Sequence, residues 1–439
     1  MPNTTTRKST MKKPASTRAA AAAAAILALA VTGCTGAAPN AAGNGSDGLR
    51  YLISQPERPS ELDAIRSDLE EFEKKSGIEV TLDVLPLENL RTVLQTQLRS
   101  GEGPDVFNYD TGPGFAGTLA EAGLLYDLTD AYKENDWKIY DFARERVTFD
   151  GKISGVPTQL EEVGIFYNKD LFTKHGVQEP KNLSDLQKAA ETFTAEGVTP
   201  FAVNDKEGWQ GGHLFSMALS SRVGPDGMEK LLDGSMPWTS PEVVAALETW
   251  SGFAKDGHLP DSPNALTYDN GNALFYKGDA AMNPTGSWLI SSLQETVDFE
   301  VGFLPFPAED GPGIFTGGLG GGSFVSADTE NPEGAVELLD YLQSEEHGRW
   351  QVETIGTIPA FPVETEGLEV SPLFAQVIED TAKIAEGSGE FGYNIDVLTT
   401  DTFNKTMWDG FQGILTGQKT AEAVAQDLQT ASKQAAEDK

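Results

Sequence analysis

The chain has 439 residues, of which 39% are hydrophobic, and its 67 acidic and 32 basic side chains give a formal net charge of −35. This length and composition are typical of a soluble protein with two or three domains and more than one core. Such an acidic chain would repel a phosphate backbone, so we expect no nucleic-acid partner. With four histidines and one cysteine, we expect neither a transition-metal site nor a cofactor.

Residues 1–33 predict a secretory signal peptide. A basic start without acidic residues precedes an apolar run from Ala19 to Val31. The run is too short to span a bilayer comfortably, and its flanks fit a signal sequence. Its removal would take the net charge from −35 to −40, because five basic side chains leave with it.

The predicted signal peptide is followed directly by Cys34, the only cysteine of the chain. Val31-Thr32-Gly33-Cys34 has the pattern of a bacterial lipobox, in which cleavage follows Gly33 and diacylglycerol is attached to the cysteine sulfur. The alternative is a free thiol near a flexible terminus. We therefore expect a protein anchored by lipid at the extracellular face of the membrane, with residues 34–48 as a flexible tether. No intramolecular disulfide is possible.

The first predicted elements alternate between strand and helix. Strands at 49–53, 78–85 and 105–109 are separated by a helix opened by a capping box at Ser60 and by a helix over 87–99. A βαβαβ order favours an α/β fold with a mainly parallel sheet and ligands at the carboxyl ends of its strands. The glycine-rich turn at 111–114 matches neither the G-x-G-x-x-G pattern nor a P-loop with its Gly-Lys-Ser/Thr, so we expect no nucleotide there.

The stretch from Gly151 to Asp170 predicts a hinge. Its β-branched and aromatic residues at 163–167 are typical of a buried strand. Gly155 and Pro157 interrupt regular structure just before that strand, and polar residues follow at 159–162. We interpret this segment as a strand that crosses between two lobes and forms the floor of a cleft.

Three later helices are predicted to begin near Ser184, Ser240 and Asn331, the last two with proline at the first helical position. Two final helices are predicted at 401–415 and 420–431. No second linker follows Gly48, so the two lobes must be interwoven.

Several short motifs occur in an order and spacing that resemble a known family. They are Gly103-Pro104-Asp105-Val106-Phe107, residues 119–125, Asp127-Leu128-Thr129, Gly155-Val156-Pro157, Tyr167-Asn168-Lys169-Asp170, Gly278-Asp279-Ala280-Ala281-Met282, Gly286-Ser287-Trp288 and Phe303-Leu304-Pro305. The combination is similar to the extracellular solute-binding proteins of carbohydrate ABC importers, of which maltose-binding protein is a member. The similarity covers nearly all of residues 49–430.

This resemblance implies a two-lobe α/β fold, each lobe a mainly parallel sheet flanked by helices. The chain is expected to cross between lobes near 157–161, 304–307 and 331. The first lobe would comprise 49–157 and 305–330, and the second 158–304 and 331–439. A monomer would close around a mono- or oligosaccharide and deliver it to the permease of an ABC transporter.

Candidate ligand contacts combine carboxylates and amides, which pair with hydroxyl groups, and aromatic rings, which cover the C–H faces of a sugar. The candidates are Gln55, Tyr109, Asp110, Gln159, Glu161, Trp209, Trp288, Gly318, Asn394 and Asp396. His213 is a weaker candidate. Glu162 would face away from the site, because successive strand residues point to opposite faces. The tryptophans at 137, 238, 250, 350 and 408 are assigned to packing.

The first hypothesis is therefore a binding protein without catalysis. A secreted glycoside hydrolase that uses Asp110 and Glu161 is one alternative, because a pair of carboxylates is what that chemistry needs. The other alternative keeps the fold and replaces the sugar with a peptide, polyamine or ion. Carboxylates and rings also suit cationic ligands.

Overall fold

The computed structural model describes residues 48–385 and 391–437. The predicted signal peptide, Cys34 and the tether up to residue 47 lie outside the described residues. Within them, no helix is both long and apolar enough to cross a membrane.

The helices in chain order are α1 Pro59–Ser76, α2 Leu87–Ser100, α3 Ala116–Glu121, α4 Thr129–Glu134, α5 Asp141–Glu145, α6 Lys169–Lys174, α7 Leu183–Ala195, α8 Trp209–Leu232, α9 Pro241–Lys255, α10 Tyr268–Tyr276, α11 Ile290–Thr296, α12 Pro332–Leu342, α13 Glu345–Trp350, α14 Pro372–Ala385, α15 Asp401–Leu415 and α16 Ala421–Glu437. Short helical turns lie at Pro263–Ala265, Ser287–Leu289, Gln351–Ile355 and Ile395–Val397.

The strands are β1 Gly48–Ser54, β2 Glu79–Leu85, β3 Val106–Asp110, β4 Thr148–Phe149, β5 Lys152–Ile153, β6 Gly155–Pro157, β7 Gln159–Asn168, β8 Thr199–Phe201, β9 Ala280–Gly286, β10 Val301–Leu304, β11 Phe306–Ala308, β12 Gly311–Ile314, β13 Thr316–Leu319, β14 Gly321–Val325 and β15 Ile358–Pro359.

Two of the sheets define two lobes. The first sheet has the order β2-β1-β3-β14-β6, and the second has the order β10-β7-β9-β8, with β13 and β15 also paired to β7. In the first sheet β1 runs parallel to β2 and β3, whereas β14 is antiparallel to β3 and β6. In the second sheet only β8 and β9 are parallel. The α/β class is confirmed, but the sheets are mixed rather than mainly parallel.

Local sequence patterns account for the elements around the cleft. In α2, Leu90, Leu94 and Leu98 recur every four residues and are all buried, so one face of the helix packs on the first sheet. The helix ends at Gly101, whose φ of 69° is left-handed. In β7 the continuous run from Val163 to Tyr167 is buried on both faces, as expected of a central strand.

The chain passes between the sheets at three places. It leaves β6 of the first sheet at Thr158 and enters β7 of the second, which falls within the range expected from the sequence. It returns at Gly320, between β13 and β14. The third passage lies near β15, since Ile358 pairs with β7 while the carbonyl of Ala360 accepts a hydrogen bond from Tyr140 of the first lobe.

The second and third crossings were expected near 304–307 and 331, and both positions are wrong. The sheets place these crossings at Gly320 and near β15. Strands β11 and β12 pack on α8 of the second lobe, and α12 packs on β1 and β14 of the first. The breaks at Pro305 and at Asn331-Pro332 mark the end of a strand and the start of a helix. Asn331 does cap α12 as predicted, because its side chain accepts a hydrogen bond from the amide of Gly334. Helix α1 begins at Pro59, one residue before the predicted capping box.

Candidate functional site

The first lobe presents a carboxylate at the end of β3. Asp110 is held from α2 by Arg91, whose Nε and Nη2 donate hydrogen bonds of 2.7 and 2.9 Å to its two oxygens. The guanidinium also lies 5.3 Å from the ring centre of Phe115. Tyr109 meets the same ring edge-on at 6.4 Å. This bidentate pair fixes the direction of the Asp110 carboxylate.

The hinge strand β7 contributes Gln159 and Glu161. Gln159 Nε2 donates a hydrogen bond of 2.6 Å to Glu161 Oε1. A Cβ atom at Gly320 would lie 2.5 Å from Glu161 Oε2, so the crossing must be glycine for the carboxylate to lie there. Burial, followed by the charges of Asp110 and Asp396, raises the pKa of Glu161 to about 7.

The second lobe presents a group of aromatic rings. Trp209 opens α8 and lies 5.2 Å from Tyr268 and 5.1 Å from His213. The ring centre of Trp288 lies 5.8 Å from that of His213, and Trp288 Nε1 donates a hydrogen bond of 2.7 Å to the Tyr268 hydroxyl. Because these contacts join α8, α10 and the turn after β9, the rings form one surface.

Two polar side chains before α15 complete this surface. The Asn394 amide nitrogen lies 2.7 Å from Nε2 of His213, and Asp396 Oδ2 lies 3.7 Å from the same ring nitrogen. Burial lowers the pKa of His213 to about 3, so the ring is neutral. Burial raises the pKa of Asp396 to about 7, against the opposing effect of Arg91 in the first lobe. Asp396 therefore faces the Arg91–Asp110 pair.

The two lobes are in contact around these residues. The rings of Phe115 and Trp408 lie 6.3 Å apart across the cleft. Beside the hinge, Glu161 and Trp288 border a cavity of about 10 Å³, which is room for one water-sized group. The cavity has no room for a larger ligand in this form.

The comparisons with known proteins agree with this architecture. A family model described as bacterial extracellular solute-binding protein matches residues 58–349. The chain belongs to this family.

Two curated relatives and one solved structure show the range of similarity to this solute-binding protein. A multiple sugar-binding protein of Streptococcus mutans is 28% identical over 302 residues, which is 67% of this chain and 70% of that protein. An uncharacterised ABC transporter extracellular-binding protein of Pyrococcus horikoshii is 31% identical over 229 residues, about half of each chain. The structure of a chitin oligosaccharide binding protein has a TM-score of 0.76 at 25% identity and covers 88% of this chain and 99% of that one.

Most of the candidates named from the sequence of this solute-binding protein lie together. Those that line the cleft or its hinge are Tyr109, Asp110, Gln159, Glu161, Trp209, Trp288, Asn394 and Asp396. Gly318 lies opposite Glu161 in the β7–β13 ladder, with a φ of 103°. Gln55 is exposed after β1, and no contact joins its side chain to the others within the described residues.

Glu162, expected to face away from the site, is fully buried on β7. Burial raises the pKa of its carboxyl group to about 9. No group of His, Cys, Asp or Glu side chains within 48–385 and 391–437 has a metal-binding arrangement.

Three residues of the cleft of this solute-binding protein were not among the candidates predicted from its sequence. Arg91 lies in the middle of α2 and Tyr268 starts α10, where neither position carries a distinctive motif. Trp408 was assigned to packing, and it does pack on the core of the second lobe. It also faces Phe115, and its Nε1 is buried without a hydrogen-bond partner in the described residues. A tryptophan within a helix gives no sequence signal that separates these two roles.

Proposed function

We propose that this chain captures a saccharide between its lobes and delivers it to the permease of an ABC importer, without catalysing a reaction. The observation that carries the proposal is that carboxyl groups of one lobe and its hinge face aromatic rings of the other lobe across the cleft. The first lobe and hinge supply Asp110 and Glu161, and the second supplies Trp209, Trp288 and Asp396. Carboxylates can pair with hydroxyl groups while the rings cover C–H faces.

The names of the relatives support a saccharide. The Streptococcus mutans relative is named for binding multiple sugars, and other relatives are named for maltotriose and galactooligosaccharide. Lobe closure then provides the mechanism, since a ligand that touches both lobes shifts the equilibrium toward the closed form by its extra affinity for that form.

The geometry gives little support to the hydrolase alternative. Both oxygens of Asp110 are held by Arg91. Gln159 already occupies one oxygen of Glu161. In the form described, both carboxyl groups are therefore engaged by neighbouring side chains.

Calorimetric titration of the purified chain with a panel of neutral mono- and oligosaccharides tests the function. Saturable heat at micromolar concentrations, about −8 kcal/mol of binding free energy, is expected with at least one saccharide. Long incubation should release no product. New reducing ends would support the hydrolase, and the absence of heat with every saccharide would contradict the proposal.

Affinity for a neutral saccharide should fall as the pH rises through about 7. Burial in the closed cleft raises the pKa of both Glu161 and Asp396 to about 7, whereas an open, hydrated cleft brings each pKa closer to its ordinary value. Closure therefore takes up protons, and it is favoured below the raised pKa values. We expect affinity at pH 8 to be at least roughly tenfold lower than at pH 5, since one proton can change it up to about tenfold per pH unit.

Dissociation constants measured from pH 5 to pH 8 test this sign, with Glu161→Gln as the comparison. The variant should show a shallower dependence, because one titrating group is gone. Equal affinity across the whole range in the wild-type chain would refute the proton uptake.

We also propose that the mature chain is anchored by lipid on Cys34. Mass spectrometry of membrane fractions should find an N-terminal peptide that begins at acylated Cys34, and Cys34→Ser should move the protein to the soluble fraction. The lipobox residues 31–34 support this expectation. A wild-type N-terminus at another residue, without lipid, would rule out the anchor.

A further inference from the structure

The cleft carries more negative than positive charge within the described residues. Glu88, Asp110 and Asp396 lie near one guanidinium, that of Arg91, and Glu161 lies near Asp110 and Asp396. That guanidinium is already engaged, because it binds both oxygens of Asp110 and lies 3.4 Å from a Glu88 oxygen. Glu161 and Asp396 therefore have no cation of their own within the described residues.

Asp396 has a buried oxygen that no neighbouring group satisfies within the described residues. Its side chain is 3% exposed, and its Oδ1 atom is buried without a hydrogen-bond partner among the described residues. His213, whose Nε2 lies 3.7 Å from Asp396 Oδ2, is held neutral by burial and supplies no positive charge. Arg146 also lies near the cleft, but it is placed beside Tyr393. A buried carboxylate without a partner is costly unless a ligand supplies the missing charge.

Aromatic rings surround the same place. Trp209 and Trp288 both contact the ring of His213, which adjoins Asp396, and Tyr268 joins the two indoles. Tryptophan faces attract cations, most strongly when water is excluded. Carboxyl groups without a bound cation, one of them with an unpartnered oxygen, beside aromatic faces form a surface that is complementary to an ammonium group as well as to a sugar ring.

We propose that the preferred ligand is a saccharide with a free amine, whose ammonium group binds beside Asp396 and Glu161 while its ring lies against Trp209 or Trp288. This inference rests on the proposed function and specifies its ligand class. The ammonium supplies one positive charge and three hydrogen-bond donors, which can satisfy the unpartnered Oδ1 of Asp396 and reach the Glu161 carboxyl group.

The test compares matched sugars that differ in one substituent. β-1,4-linked disaccharides of glucosamine, N-acetylglucosamine and glucose share ring and linkage, and further hydroxyl and amine pairs extend the panel to other linkages. The amine form of at least one pair should bind at least tenfold more tightly than its hydroxyl and N-acetyl forms at pH 7. Equal or tighter binding of every hydroxyl form would overturn the amine preference and leave the proposed function intact. No binding in any pair would overturn both.

Two further measurements locate the ammonium site. Asp396→Asn should reduce the preference for the amine form to less than about threefold, whereas Asp141→Asn removes the same charge from an exposed position on α5 and should not change it. Affinity for the amine form should rise between pH 5 and pH 7 as the carboxyl groups ionise, opposite to a neutral saccharide. A preference that survives Asp396→Asn, or a fall in amine affinity over that pH range, would refute this placement.

Discussion

Replacing Gly114 with alanine is expected to weaken saccharide binding roughly ten- to one hundredfold. Gly114 lies in the first lobe where it touches the second, and a Cβ atom there would lie 2.7 Å from the Thr399 carbonyl oxygen and 3.0 Å from the Asp401 amide nitrogen. Backbone atoms cannot turn aside, so the added methyl group opposes closure. Overpacking of this kind costs about 1–3 kcal/mol, and every 1.4 kcal/mol is about tenfold in affinity.

The matched control is Gly252→Ala in α9, where an added Cβ has nothing within 4 Å. Both variants should melt close to the wild-type temperature, because Gly114 contacts the other lobe rather than its own core. Only Gly114→Ala should lose affinity in calorimetry. Wild-type affinity in that variant would show that binding does not require the lobe contact at Gly114.

Replacing Trp288 with alanine is expected to lower affinity at least roughly tenfold. The indole lies between His213 and Tyr268 at the hinge end of the cleft, where it can cover one sugar face. Loss of one stacking contact costs about 1.4 kcal/mol, which is tenfold. The indole is half-buried and packs on core residues of the second lobe, so the melting temperature should fall as well.

Two variants separate the loss of stability from the loss of binding. Trp288→Phe retains a ring and should recover part of the affinity. Trp137→Ala removes a buried indole that packs on Tyr132 in the first lobe, so it should lower the melting temperature without lowering affinity. If Trp288→Ala bound saccharide as tightly as the wild type, Trp288 would not belong to the site.

Local patterns in the sequence predicted the elements that carry the cleft. The break at Gly155 and Pro157, followed by an apolar run, located β7 and the first crossing. The leucines of α2 recur at helical spacing, and Asp110 follows an apolar strand, which places it at a sheet edge. In each case the signal lies within about twenty residues.

The features that the sequence analysis missed depend on contacts between distant segments. Nothing near His213 indicates that Asn394, 181 residues away, will lie against its ring. Arg91 looks like an exposed helical arginine until α2 is placed beside β3. The predicted lobe boundaries near 305 and 331 were misplaced for a similar reason. A proline can end a strand or start a helix, but it does not show which sheet the next element joins.

Small-angle X-ray scattering, with and without a saccharide that gives heat in calorimetry, tests whether the two lobes close around the ligand. We expect a smaller radius of gyration for the wild-type chain on saturation, and a weaker change for Gly114→Ala at the same concentration. Identical scattering curves for the wild-type chain, despite saturating heat, would contradict closure of the two lobes around the ligand.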